Sequence, residues 1–260
     1  MSKSSLMLAA AIAMSVVSPI AQAAETPARI VEIAAERGDL RVAFADGRIL
    51  RGEDLKGATI SIAGLKDLKV ADVQVDPTDK QHEIRLFELL RQDEAGEWRS
   101  ICNKAYDGRT SALVMGDPRD PTRITITCAA GNYGKCARFG YAPWRQAPDG
   151  RPMELWHQAC LKMLPAEYGG NGVPHTVNGM KIDIFDFIGI NTPDSEDEMP
   201  FEAGWTPNGA VCVAHARVPK VATLADVAAA FPALPTGSEH CTQEAARAAG
   251  ALVLNRSLIQ

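Results

Sequence analysis

Four short groupings in the sequence place chemically capable side chains close together. His157-x-x-Cys160 and Cys212-x-x-His215 together offer two imidazoles and two thiols, the ligand types that zinc accepts. On a helix, residues three apart point the same way, so the first pair could chelate. Cys160, His175 and Asp183 supply the thiol, imidazole and carboxylate of a covalent catalyst. His157 with Glu167 is the better acid-base pair, because an imidazole beside a carboxylate titrates near neutrality. Finally, Asp194, Glu196, Asp197, Glu198 and Glu202 concentrate carboxylates in one stretch, but without the spaced acids and central glycine of a calcium loop. A solvated surface loop is the simpler account of that run.

Which of these groupings can work depends on the compartment. Lys3, the apolar run Leu6 to Val17 and the small-x-small site Ala21-Gln22-Ala23 read as a secretory leader cleaved after Ala23. The apolar run is shorter than the roughly 20 residues a membrane span requires. The six cysteines, Cys102, Cys128, Cys136, Cys160, Cys212 and Cys241, all follow the leader. An even number in an exported chain argues for three disulfides, with the pairing open. Cysteines committed to bridges cannot be zinc ligands or nucleophiles, which lowers both thiol readings. No metal site and no cofactor motif is therefore assigned. The net charge of −5 offers no polybasic surface for nucleic acid, and no second long apolar run exists to hold the mature chain in a membrane.

The elements that must position these residues are an antiparallel β-rich region and a following mixture of strands and helices. Leu40 to Phe44, Ala58 to Ile62, Leu68 to Val75 and Ile84 to Leu89 alternate with period two, with turns at Asp46-Gly47 and Asp93 to Gly96. Ile124 to Cys128 and Val211 to Ala214 are further strands, and His175 to Phe187 reads as a hairpin turned by Asn178-Gly179, with Ile182, Ile184 and Phe187 inward. Pro152 to Pro165 carries Leu155, Trp156, Ala159, Cys160 and Met163 at helical spacing. Thr223 to Asp226 is a capping-box start to a second helix, and Thr236 to Glu239 starts a third that contains Cys241. The fold class is α+β: a leader over 1–23, a small β-rich region over 24–97, and a disulfide-stapled α+β domain with about three helices over 98–260. Ten of the fifteen aromatic residues lie between Tyr133 and Trp205, which makes that half the heavier core or the binding surface.

An ordered series of segments resembles the bacterial ADYC domain family. It runs through Trp98 to Cys102, Thr127 to Trp144, Trp156 to Met163, Ala166 to Gly169, Thr176 to Asp186, Phe201 to Trp205, Gly209 to Val213 and Leu254 to Ser257. The family's Ala-Asp-Tyr-Cys motif reads Ala166-Glu167-Tyr168-Gly169 here, with the acid kept in charge and the thiol replaced by glycine. Were the family thiol a nucleophile, this chain would lack it. Were it half of a disulfide, its partner should be missing too, and an even residual count favours that account. Asn255-Arg256-Ser257 matches a glycosylation acceptor by spacing, but the bacterial resemblance makes it a structural tail. The resemblance implies export and a related fold and supplies no activity.

The expectation is an exported, non-catalytic envelope or extracellular module that binds a small ligand or another protein. The competing readings are a secreted hydrolase-like enzyme using His157 and Glu167, and, more weakly, a zinc-stabilised domain. The first requires an exposed aromatic groove, the second a convergence of the two side chains on one pocket.

Overall fold

The computed structural model describes residues 29–60, 67–117, 120–194 and 198–260. The leader with its Ala23 site, residues Ser61 and Ile62 of one expected strand, and residues 195–197 of the acidic run lie outside these. Strands β1 (Ile30–Glu36), β2 (Asp39–Phe44) and β3 (Ile49–Arg51) form an antiparallel three-stranded sheet. The Asp46-Gly47 turn falls between β2 and β3, where the Gly47 N–H bonds the Phe44 carbonyl. A second antiparallel sheet contains β4 (Thr59–Ile60), β5 (Leu68–Val75), β6 (Arg85–Gln92), β7 (Trp98–Ser100), β8 (Ala112–Asp117) and β9 (Asp120–Cys128). Its order is β4-β5-β6-β8-β9, with β7 paired to β6. The division placed at Trp98 falls inside this sheet, between β6 and β7. Alternation drives one face of these strands inward. Val70 and Val73 of β5, Phe87 and Leu89 of β6, and Ala112 and Val114 of β8 form one apolar cluster with Ala35, Leu40 and Val42 from the first sheet.

Two helices follow, α1 (Asn132–Arg138) and α2 (Glu154–Met163), then β10 (Ile182–Asp186), β11 (Phe201–Thr206), β12 (Gly209–Val213), α3 (Leu224–Ala230), α4 (Gln243–Ala248) and β13 (Val253–Ser257). The last four strands make an antiparallel sheet of order β10-β13-β11-β12. Against it α2 buries Trp156, Ala159, Cys160 and Met163, the apolar stripe seen in the sequence. Strands and helices are segregated, so the α+β class holds.

Three local expectations are corrected. The Asn178-Gly179 turn forms, but no strand precedes it, because β10 takes its hydrogen bonds from β13. Phe185 is the inward aromatic, whereas Phe187 lies past the strand end and is exposed. Cys241 precedes α4 and is not within it: Thr242 caps that helix by accepting the Ala245 N–H. By contrast, Thr223 and Asp226 form the reciprocal capping box at α3. Helix α1 carries no apolar periodicity to announce it. Its Gly134 is set by packing, since a Cβ there would collide with the Cys128 carbonyl and the Ala129 backbone.

All six cysteines are paired, in sequence order: Cys102 with Cys128, Cys136 with Cys160, Cys212 with Cys241. The second bridge fastens α1 to α2. Two buried arginines carry the linkage on to the β-rich region. Arg138 of α1 bonds Asp76 at 2.6 Å and Asp107 at 2.7 Å, and Arg145 bonds Asp79 at 2.7 Å and Glu83 at 2.9 Å. Burial alone would raise the Asp107 carboxyl, but hydrogen bonds from Arg138 and Arg109 reverse this and hold it down at about 2.

Candidate functional site

His157 sits on α2 beside the half-cystine helix face, and the bridge to Cys136 brings α1 alongside it. Its Nε2 lies 3.1 Å from the Tyr133 carbonyl on α1. A carbonyl oxygen only accepts, so Nε2 carries the proton and Nδ1 is left with its lone pair. Burial lowers the imidazole's pKa, and this outweighs the opposing effect of the Tyr133 carbonyl. The ring is therefore neutral at pH 7. The Tyr133 ring lies 5.6 Å from it and is 53% exposed.

These two rings belong to the wall of an open cleft of about 640 Å³ between the α1–α2 pair and the end of the β8–β9 hairpin. Glu154 and Gln158 from α2, and Arg123 and Thr125 from β9, supply its donors and acceptors, while Ile124 and Leu161 supply apolar surface. A neighbouring cleft of about 590 Å³ holds Trp144 and Arg37 and shares Gly116 and Asp117 with the first. The groove is thus flanked by one exposed tyrosine and one half-buried tryptophan. Trp156, Trp205, Tyr141 and Tyr168, by contrast, are in the core.

Glu167 does not join His157. Its carboxylate accepts from Lys162 Nζ and from the Gly172 N–H, both at 2.6 Å, and so ties the end of α2 to the glycine-rich loop behind it. Lys162 is five residues beyond His157, about 140° further round the helix. No hydrogen bond among the described residues links the two side chains expected as an acid-base pair. The thiol-imidazole-carboxylate series fails as well. Cys160 is oxidised, and His175 Nδ1 bonds the Ala166 carbonyl at 3.0 Å while its ring lies 5.3 Å from that of Tyr168. Asp183 is buried, accepts the Asp194 N–H, and lies 3.9 Å from Arg256. The zinc reading loses its thiolates, since Cys160 and Cys212 are both half-cystines. His215 is held by the Phe201 carbonyl at 3.0 Å and the Ser257 hydroxyl at 3.1 Å. Ser257 and Asn255 are fully buried in β13, so the acceptor-like triplet at 255–257 is part of the core.

Sequence reasoning missed the polar network that the motif tyrosine organises. Tyr168 donates its hydroxyl to Glu202 at 3.0 Å and accepts the Arg217 N–H at 3.0 Å. Arg217 Nε bonds the other Glu202 oxygen at 2.9 Å, and its terminal nitrogens bond the Leu164 and Met163 carbonyls. Asn255 bridges Glu202 to the Trp205 indole, on which the Tyr168 ring stacks at 5.5 Å. Burial and the Glu202 charge raise the Tyr168 phenol, so it stays protonated as a donor. Glu202, grouped in sequence with the surface acids, is completely buried, and that grouping is corrected. The signal available beforehand was its place between apolar residues at strand spacing. Arg217 had none.

The motif position that departs from the family lies against this network. A Cβ at Gly169 would meet the ring of Phe231, so the volume next to this backbone is already filled. Comparison of the chain with curated proteins and with solved structures gives no match. A family model described as the ADYC domain matches residues 52–219. The match begins upstream of Trp98 and so takes in most of the second sheet, both buried arginine clusters, the Tyr133–His157 cleft and the Tyr168–Glu202–Arg217 network. It ends before α3 and β13. Spanning well over half of the sequence, it places this protein in the ADYC domain family.

Proposed function

We propose that the protein is an exported, disulfide-stabilised, non-catalytic module of the envelope or extracellular space, which binds a small ligand in the cleft between α1–α2 and the β8–β9 hairpin. The observation that carries the reading is the composition of that cleft. Its volume of about 640 Å³ is within the range of small-ligand sites. Its wall combines a half-exposed tyrosine, a neutral histidine, an amide, a hydroxyl, the charged Asp117, Arg123 and Glu154, and apolar side chains, which suits a polar ligand with several hydrogen-bonding groups and one apolar face. The separation of His157 from Glu167 weighs against the hydrolase reading.

Export rests on the leader ending at Ala23 and on three disulfides, which persist in oxidising compartments. No helix among the described residues is long and apolar enough to cross a membrane. N-terminal sequencing of protein recovered from the periplasm and the medium should begin at Ala24; an intact leader on all recovered protein would overturn this part.

Binding is tested by saturation-transfer NMR with a panel of N-acetyl amino-acid amides and N-acetyl monosaccharides. At least one probe should give a signal that is lost in Tyr133→Ala and weakened in Gln158→Ala. A panel without signal, or signals that both variants retain in full, would refute the assignment of this cleft.

A further inference from the structure

A separate cleft, of about 360 Å³, opens on the other side of α2 and shares no lining residue with the two described above. Its walls come from the loop before α2, the end of β10 and the segment joining α4 to β13. Two arginines dominate it, each laid over an aromatic ring. The Arg151 guanidinium lies 4.5 Å from the Trp156 ring centre, and that of Arg247 lies 4.8 Å from the ring of Phe187. Asp149 pairs with Arg151 at 2.7 Å, whereas Arg247 makes no ion pair among the described residues. The cleft thus carries two cations against one carboxylate, on a chain whose net charge is −5.

Stacking restrains both guanidiniums; Arg151 already gives its Nε and Nη2 N–H groups to Asp149, so Arg247 is the one whose edge is left to meet a planar oxyanion side-on. Phe187 is exposed although the expected hairpin would have turned it inward, and with Ile188 and Leu252 it adds apolar surface beside the charges. Trp156 lines the same wall, and its indole N–H is buried without a hydrogen-bond partner, a condition that native interiors seldom leave unused. We propose that this cleft is a binding site for a small carboxylate with an apolar or aromatic body. The carboxylate pairs with Arg247, with the Asp149-bound Arg151 across the cleft, and the body lies against Phe187. This goes beyond the ligand assigned to the Tyr133 cleft and does not depend on it.

The probes are benzoate, its uncharged analogue benzyl alcohol, and inorganic phosphate, titrated into the mature, oxidised protein. The readout is the indole N–H signal of Trp156 among the four tryptophans, identified with Trp156→Phe. Benzoate should move that signal saturably. Arg247→Gln, on an exposed helix end, should weaken the affinity about tenfold, the factor expected for one charge-assisted hydrogen bond. Tyr133→Ala should leave benzoate binding unchanged, which separates this site from the first. The proposal is overturned if benzoate leaves the Trp156 signal in place, if Arg247→Gln binds equally well, or if benzyl alcohol or phosphate binds as tightly as benzoate.

Discussion

Gly169→Ala is a sharp test of how the motif is packed. The φ angle at Gly169 is one that any L-residue adopts, so backbone strain contributes nothing. On the unfolded chain alone, Gly→Ala would stabilise by about 0.4–1 kcal/mol. The new methyl, however, would sit within the van der Waals envelope of Phe231 Cε1 and Cζ and 2.8 Å from Cδ1. Carbons pack at roughly 3.5–4.0 Å, so the ring must retreat by about 1 Å or more. Phe231 caps α3 and packs on the cluster containing Met163 and Trp205, which limits that retreat. Overpacking of this kind costs about 1–3 kcal/mol, so the net loss should be about 1–2 kcal/mol, or a Tm lower by about 2–8 °C for a chain of this size. Urea unfolding of the oxidised protein would measure it, alongside Phe231→Ala and the double variant. Truncating the Phe231 ring vacates the space the methyl needs, so the two changes should be non-additive by about 1 kcal/mol or more, beyond the ~0.5 kcal/mol expected of independent sites. Gly169→Ala at or above wild-type stability, or strict additivity, would refute the steric account. The same collision meets a Cys side chain, so the departure from Ala-Asp-Tyr-Cys is matched by the ring that occupies its place.

His157 and His215 are both pushed down by burial, so between their folded pKa and the ordinary value of about 6.5 the unfolded chain binds more protons. Stability should therefore be full above about pH 7 and fall as pH drops below 6.5, by up to ~1.4 kcal/mol per pH unit for each histidine; His157→Gln should flatten that slope in pH-dependent urea titrations, and an unchanged slope would count against its buried neutral state. Asp76→Asn leaves the Arg138 guanidinium buried with a weakened partner and should cost about 3–5 kcal/mol in the same assay, while Arg138→Met with Asp76→Asn should recover a large part of it. Removing the Cys136–Cys160 bridge by Ala substitution, with its separation of 24 residues, should cost about 3.5 kcal/mol of unfolded-chain restriction, and a loss below about 1 kcal/mol would contradict that account.

The legible parts of the sequence were those set by local pattern. Strands β2, β5 and β6 follow from period-two alternation, α2 from its apolar stripe, and α3 from a capping box whose two hydrogen bonds both form. Oxidation of the six cysteines is expected from their even number behind a leader-like segment, while their pairing required the fold. What local pattern could not reach was any contact whose partners are far apart in sequence. Glu202 and Arg217 meet Tyr168 across 34 and 49 residues, and Arg138 meets Asp76 across 62. The hairpin at 175–187 failed for the same reason: its turn signal is real, but β13, about 70 residues away, supplies the hydrogen bonds that an adjacent strand would have supplied.

The distribution of titratable groups bears on what kind of site this fold supports. The fully buried Glu202 has its two oxygens taken by Tyr168, Arg217 and Asn255, and Asp76, just as buried, and Asp79 are bound to arginine. A carboxylate whose oxygens are so engaged has none left to face a substrate proton, whereas general acid-base catalysis needs a group within hydrogen-bond reach of that proton. The same pairs serve a binding scaffold well. A buried charge with every partner in place resists displacement, because removing one partner strands the other, and each of these networks spans elements that wall the clefts. Arg138 and the Cys136–Cys160 bridge both fix α1, and α1 carries Tyr133; Arg145 anchors the segment containing Trp144. The rigid chemistry lies behind the cleft walls, and the side chains lining the cleft in front are the aromatic and hydrogen-bonding groups through which the proposed ligand would be recognised.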